Sequence, residues 1–224
     1  MIPNHWRDTA GRGVKIVVLD TGVSVGQGGV FPEAIRCFAA AGADPSHGTK
    51  VAQIIAGRHG IASACRLFCG QVIGDSNHLW VPLEQALVWA KELKADVVNM
   101  SFACPTSHPP VDRLLAELDA ASCICVTSFN RYLHWPWSLP HVVAVGVSQQ
   151  DDCDIVAPSE FPVEVEGRGE IFKGTSAAAA QVAGIAACAK AADPNINRQK
   201  FFDYICGFAN CASGLKPKCL THCV

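Results

Sequence analysis

The chain has 224 residues, half of them hydrophobic and only 17% charged, with a mean hydropathy just above zero. Such a composition can bury enough apolar surface to offset the entropy of ordering, which excludes a disordered chain. Eighteen basic against twenty acidic side chains leave a formal charge of −2, so no basic excess exists to neutralise nucleic-acid phosphates or to dock on a membrane surface.

The first residues, Met1 to Trp6, show no basic stretch followed by an apolar one, so no signal peptide is visible. That favours a cytoplasmic location, with a secreted mature form as the alternative. Apolar runs without alternation follow at residues 14–19, 66–69, 96–100, 123–126 and 142–145. Their β-branched content predicts strands buried on both faces of a parallel sheet. Between them, Leu83, Ala86, Leu87, Ala90 and Leu93 repeat at helical spacing over about 82–94. A second helix, marked by Leu114, Leu115 and Leu118, begins after Pro109-Pro110. The low-charge stretch 174–188 is Ala-rich and falls short of the roughly 20 apolar residues that a membrane span needs. Strands alternating with helices imply βαβ crossovers and a doubly wound α/β sandwich. No repeat or linker divides residues 1–224, which read as one domain with a Cys-rich tail at about 206–224.

Three motifs lie on this frame. Asp20 ends the first apolar run, before Thr21-Gly22, at the carboxyl end of a strand where α/β sheets build their sites. A Pro45-Ser46 turn delivers His47 at a helix start, where Gly48 allows close backbone approach. Ser176, in Gly174-Thr175-Ser176, heads the Ala-rich helix beside its N-terminal N–H groups. Taken singly, a turn cap, a packed histidine and a helix N-cap explain each of them.

Together, Asp, His and Ser in this order resemble the subtilisin-like serine peptidases. The resemblance rests on residues 18–22, His47-Gly48-Thr49 and Gly174-Thr175-Ser176, and on Trp6 with Gly11-Arg12-Gly13-Val14; it runs from about residue 6 to 190. It implies a three-layer α/β sandwich whose mostly parallel central sheet is flanked by helices. The implied activity is serine endopeptidase: Ser176 as nucleophile, His47 as base and Asp20 as its orienting carboxylate. Asn130, after a core strand, matches the family's oxyanion asparagine. Ser101, Phe102 and Ala103 match the strand that pairs with an extended peptide or protein substrate. Phe129 stands where the family commonly has glycine, and it is expected to restrict the pocket for the residue before the cut.

Lys50 and the run 177–181 also depart from the family pattern, and both are expected to be tolerated. No oxygen-rich calcium loop is visible; Asp151, Asp152 and Asp154 read as a solvated turn, so no metal or other cofactor is expected. Tyr132, Trp135 and Trp137 either line the same pocket as Phe129 or pack beneath it, and packing is expected. No pro-segment is visible, Asp20 lying 19 residues after Met1, which suits a compact peptidase that trims a precursor peptide. No nucleic-acid or membrane partner is expected, and the oligomeric state stays open. Of twelve cysteines, Cys65, Cys69, Cys123, Cys125 and Cys188 fall in core elements as buried thiols. Cys206, Cys211, Cys219 and Cys223 could form two disulfides, bind zinc or stay free. The rival function is a peptide-binding module that kept the fold without the chemistry. An acyl hydrolase of the Gly-x-Ser-x-Gly type is disfavoured, because residues 174–178 lack that elbow.

Overall fold

The computed structural model describes residues 3–208 apart from 41, 76–78 and 150, and side chains as far as 205. Its elements in chain order are α1 (Asn4–Arg7), β1 (Lys15–Asp20), β2 (Ala34–Cys37), α2 (Ser46–Ala56), β3 (Arg66–Gln71), α3 (Trp80–Glu92), β4 (Val97–Met100) and α4 (Pro109–Ala120). There follow β5 (Ile124–Ser128), β6 (Val143–Gly146), β7 (Ile155–Val156), β8 (Glu160–Val165), β9 (Arg168–Lys173), α5 (Thr175–Ala192) and α6 (Arg198–Phe208). The first seven strands in this order form one parallel sheet, arranged β2-β3-β1-β4-β5-β6-β7.

Each predicted apolar run is a strand of this sheet, and burial on both faces explains why none of them alternates. Ile16 and Val18 of β1 join the core that contains α2 and α5, while Val17 and Leu19 join the core that contains α3 and α4. β5 divides the same way, Ile124 and Val126 on one side and Cys125 on the other, with Cys123 just before the strand on the Cys125 side. Helices on two faces of a parallel sheet make the three layers. The order reverses at β1, which lies between β3 and β4, and the crevice at the carboxyl ends there is the usual place for a site in such sheets.

The central helix of one layer is α5. Residues Ala177 to Lys190 are all buried, and the alanines let the helix lie close to β4, β5 and β6. Trp6 closes the outer side, 1% exposed, with ring centroids 6.3 Å from Phe201 and 5.3 Å from Tyr204.

Some elements carry no core-type run. β2 is a largely exposed edge strand, and α3 begins two residues before the expected start at 82. The β8–β9 hairpin, joined through Glu166 and Gly167, puts Phe161 and Val163 inward. The alternation of Phe161, Val163 and Val165 before a Gly-containing turn was the available signal for it.

The aspartate cluster is not a solvated turn. Asp151 is buried and accepts from the Val147 and Ser148 amides at 3.0 Å each, and Asp154 accepts from Ala144 N–H at 2.9 Å. The Asp151 carboxylate closes the turn after β6, and that of Asp154 ties the far end of the loop back to Ala144 in β6. Tyr132 also departs from expectation: it is 83% exposed, whereas Trp135 is buried and donates from Nε1 to Asp112. No disulfide joins the described cysteines, and burial pushes the thiols of Cys65 up to about 12 and Cys104 up to about 11. Of the tail cysteines, Cys206 lies in α6 beyond the last described side chain, and Cys211, Cys219 and Cys223 lie outside the described residues. Among the described residues, no helix is long and apolar enough to cross a membrane.

Candidate active site

Asp20 is the last residue of β1 and is 1% exposed. One carboxylate oxygen, Oδ1, accepts from Thr21 N–H at 2.7 Å and from His47 Nδ1 at 2.8 Å. The other, Oδ2, has no hydrogen-bond partner among the described residues. An ionised carboxylate only accepts, so the His47 ring proton sits on Nδ1 and leaves Nε2 as an acceptor.

His47 is the second residue of α2, and its side chain is 38% exposed. The hydrogen bond to Asp20 holds the imidazole pKa above its ordinary value, aided by the negative charge itself and opposed by burial and by the positive charge of Lys50. Glycine follows it for a steric reason: a Cβ on Gly48 would stand 2.2 Å from the Gly22 carbonyl oxygen. The helix can therefore approach the β1 turn only with no side chain there.

Ser176 is the second residue of α5, so the N-cap reading does not apply. The cap position is Gly174, at φ 109° and ψ −174°, a backbone region that suits glycine. From there Ser176 Oγ lies 3.2 Å from His47 Nε2 and 3.2 Å from the Ser101 carbonyl oxygen. The hydroxyl has one proton for these two acceptors. Donated to Nε2, it leaves the oxygen with the electron density of an incipient alkoxide.

Ser101 follows β4 and is buried. Its hydroxyl accepts from Asn99 Nδ2 at 2.9 Å and reaches the Ser176 carbonyl at 3.4 Å. Phe102 and Ala103, both half-buried, run on to a bridge in which Cys104 and Trp135 exchange backbone hydrogen bonds at 2.7 and 3.1 Å. Among the described residues, no backbone group pairs with the main chain of Phe102 or Ala103. That short stretch beyond the end of β4, beside Ser176, leaves its main chain unpaired among the described residues.

Asn130 follows β5. Its Oδ1 accepts from the Tyr132 and Leu133 amides at 2.9 and 3.1 Å, and no bond joins it to Ser176 or His47. Phe129 is 7% exposed in a small apolar cluster with Ala144, Cys153 and Val156, its ring 4.7 Å from that of Trp137. Lys50, one helical turn beyond His47, pairs with Glu170 of β9 at 3.3 Å. Sequence reasoning missed Phe172, whose ring stands edge-on to the His47 imidazole at 5.4 Å and 81°. Its place is legible only once the hairpin is folded against α2. No group of three or more His, Cys, Asp or Glu that could hold a metal occurs among the described residues.

The pattern that defines the subtilase family matches residues 11–209. The chain is 28% identical to M-protease of Shouchella clausii (strain KSM-K16), an alignment that takes in 94% of this chain and 62% of that one. It is also 28% identical to the intracellular serine protease of Paenibacillus polymyxa, covering 84% of this chain and 70% of the relative. The chain thus spans less than two thirds of M-protease. In fold it is similar to the prenylagaramide maturation protease PagA, with a TM-score of 0.75 at 23% identity over 94% of this chain and 88% of that one. With the defining pattern matched over most of its length, this chain belongs to the subtilase family.

Proposed function

We propose that the chain cleaves peptide bonds by acyl transfer through Ser176, and that it binds a peptide or protein segment in extended form. The observation that carries this is the bonded relay Asp20 Oδ1–His47 Nδ1 and His47 Nε2–Ser176 Oγ, at 2.8 and 3.2 Å. Ser176 Oγ attacks the carbonyl carbon while its proton passes to Nε2. The imidazolium so formed is stabilised by Asp20, already seated at Nδ1. The oxyanion is received by the Ser176 backbone N–H and the Asn130 side-chain amide, whose Oδ1 is occupied by its own loop and whose Nδ2 is left to donate. His47 then gives its proton to the leaving amine, and water releases the acyl group by the same route in reverse.

Substrate alignment falls to the edge at Ser101, Phe102 and Ala103. An extended peptide adds there as a strand, and main-chain hydrogen bonds set the register that brings one carbonyl to Ser176. Phe129 narrows the pocket beside Asn130. Trimming of a precursor peptide is the narrower form of the proposal, and a cytoplasmic site of action goes with it.

A fluorophosphonate probe tests the reading. The intact chain reacts at Ser176, and Ser176→Ala and His47→Ala do not. An intact, folded chain that stays unlabelled overturns it in favour of a peptide-binding module. A peptide-library profile decides the narrower form: cleavage confined to a short sequence motif supports precursor trimming, and indiscriminate cleavage rejects it.

A further inference from the structure

Helix α2 presents His47, Lys50 and Gln53 at i, i+3 and i+6, and each of the three meets the β8–β9 hairpin. Gln53, buried, makes a two-way clamp on the β8 backbone: its Nε2 donates to the Glu164 carbonyl at 2.7 Å and its Oε1 accepts from the Glu164 amide at 2.7 Å. Lys50 Nζ pairs with Glu170 at 3.3 Å and lies 5.9 Å from the centre of the Phe172 ring. Phe172, two residues beyond Glu170 and on the same face of β9, sets its edge on the His47 ring.

We propose that the Lys50–Glu170 pair is a latch that seats Phe172 against His47 and so holds the imidazole in line with Ser176. Lys50, Glu170 and Phe172 are positioning residues. The inference rests on the peptidase reading above, and it concerns a contact made by Lys50, a departure from the family pattern. The physical need is plain. Asp20 restrains only Nδ1, and an imidazole held at one nitrogen swings about that bond and carries Nε2 away from the hydroxyl. Rigid apolar contact on the ring suppresses the swing.

The latch is partly exposed, at 22% for the Lys50 and 48% for the Glu170 side chain, so its effect is moderate. The charged groups around His47 are Asp20 from β1, Lys50 on its own helix, and Glu170 and Lys173 from β9, with Lys173 tied to Glu160 at 2.7 Å. The positive charge of Lys50 pulls the His47 pKa down, and the Glu170 carboxylate paired with it carries the opposite charge.

The test measures fluorophosphonate inactivation across pH for the wild type, Lys50→Met, Glu170→Gln and the swapped double variant Lys50→Glu/Glu170→Lys. Both single variants are expected to lower the high-pH plateau rate about three- to fivefold, the equivalent of one exposed ion pair, and the swap to restore it. The acid limb moves in opposite directions, up in pH for Lys50→Met and down for Glu170→Gln, so equal plateau losses cannot arise from charge alone. Independently of reactivity, the ring-current shift of the His47 Cε1 proton in NMR spectra diminishes in both single variants and returns in the swap. An unchanged plateau and an unchanged ring-current shift in the single variants overturn the latch. A wild-type chain that fails to react with the probe overturns the peptidase reading instead, and the NMR shift still decides the contact.

Discussion

Gly48 and Gly22 touch backbone to backbone: a methyl on Gly48 would stand 2.2 Å from the Gly22 carbonyl oxygen and 3.0 Å from Asp20 Cβ. The approach brings the first turn of α2 onto the carboxyl end of β1, and it is why Asp20 and His47, 27 residues apart, share a hydrogen bond. Gly48→Ala must push the two apart by a large fraction of an ångström. A displacement of that order costs about 100-fold in rate. The expected result is a folded chain whose fluorophosphonate inactivation rate drops by that amount; wild-type reactivity would show that the site tolerates the gap.

The raised His47 pKa sets the pH profile. Only neutral imidazole accepts the Ser176 proton, so the acid limb of the inactivation rate lies above the ordinary value of about 6.5. Asp20→Asn removes the cause, bringing the limb down while the plateau falls by about four orders of magnitude. For stability the sign is opposite. A group whose folded pKa is raised stabilises the fold fully below its unfolded pKa, and that contribution disappears as pH rises through the folded value. Thermal unfolding followed between pH 5 and pH 9 should show this contribution in the wild type and lose it in His47→Gln.

Asn130→Asp separates the two halves of one side chain. Aspartate keeps an acceptor for the Tyr132 and Leu133 amides and has no amide donor. Acylation should slow by about 100- to 1000-fold with little change in melting temperature. A rate close to wild type would remove Asn130 from the oxyanion site.

Phe129→Gly has two expected consequences. Loss of a buried ring from the cluster with Trp137 lowers stability by about 3 kcal/mol in chemical denaturation. A peptide-library profile should also gain bulky residues immediately before the cut. An unchanged profile with the same destabilisation assigns Phe129 to packing alone.

Most of the layered fold is legible locally. Runs such as 14–19 and 123–126 are apolar on both strand faces, and only a sheet covered on both sides accounts for that pattern. The hairpin was hidden because Phe161 and Val163 alternate with Glu160, Pro162 and Glu164, a weaker signal without tertiary support. Tyr132 and Asp151 went the other way, an aromatic left outside and a carboxylate taken in. Loop amides after β6 needed an acceptor, while nothing among the described residues covers the ring of Tyr132.

By itself, the sequence picked out the three residues proposed to carry the chemistry. Asp20, His47 and Ser176 stand in short motifs whose flanking glycines and turn residues mark a strand end and two helix starts. Tertiary structure alone decided how they meet. The hydroxyl of Ser176 is 129 residues from His47 along the chain and 3.2 Å away in space. The same hydroxyl finds its second acceptor on the main chain of Ser101, and the imidazole finds Phe172 on a hairpin that periodicity signals only weakly. Hydrophobic pattern reports how each segment is buried, a local property. Distances between segments follow from sheet order and crossover geometry, which belong to the whole chain.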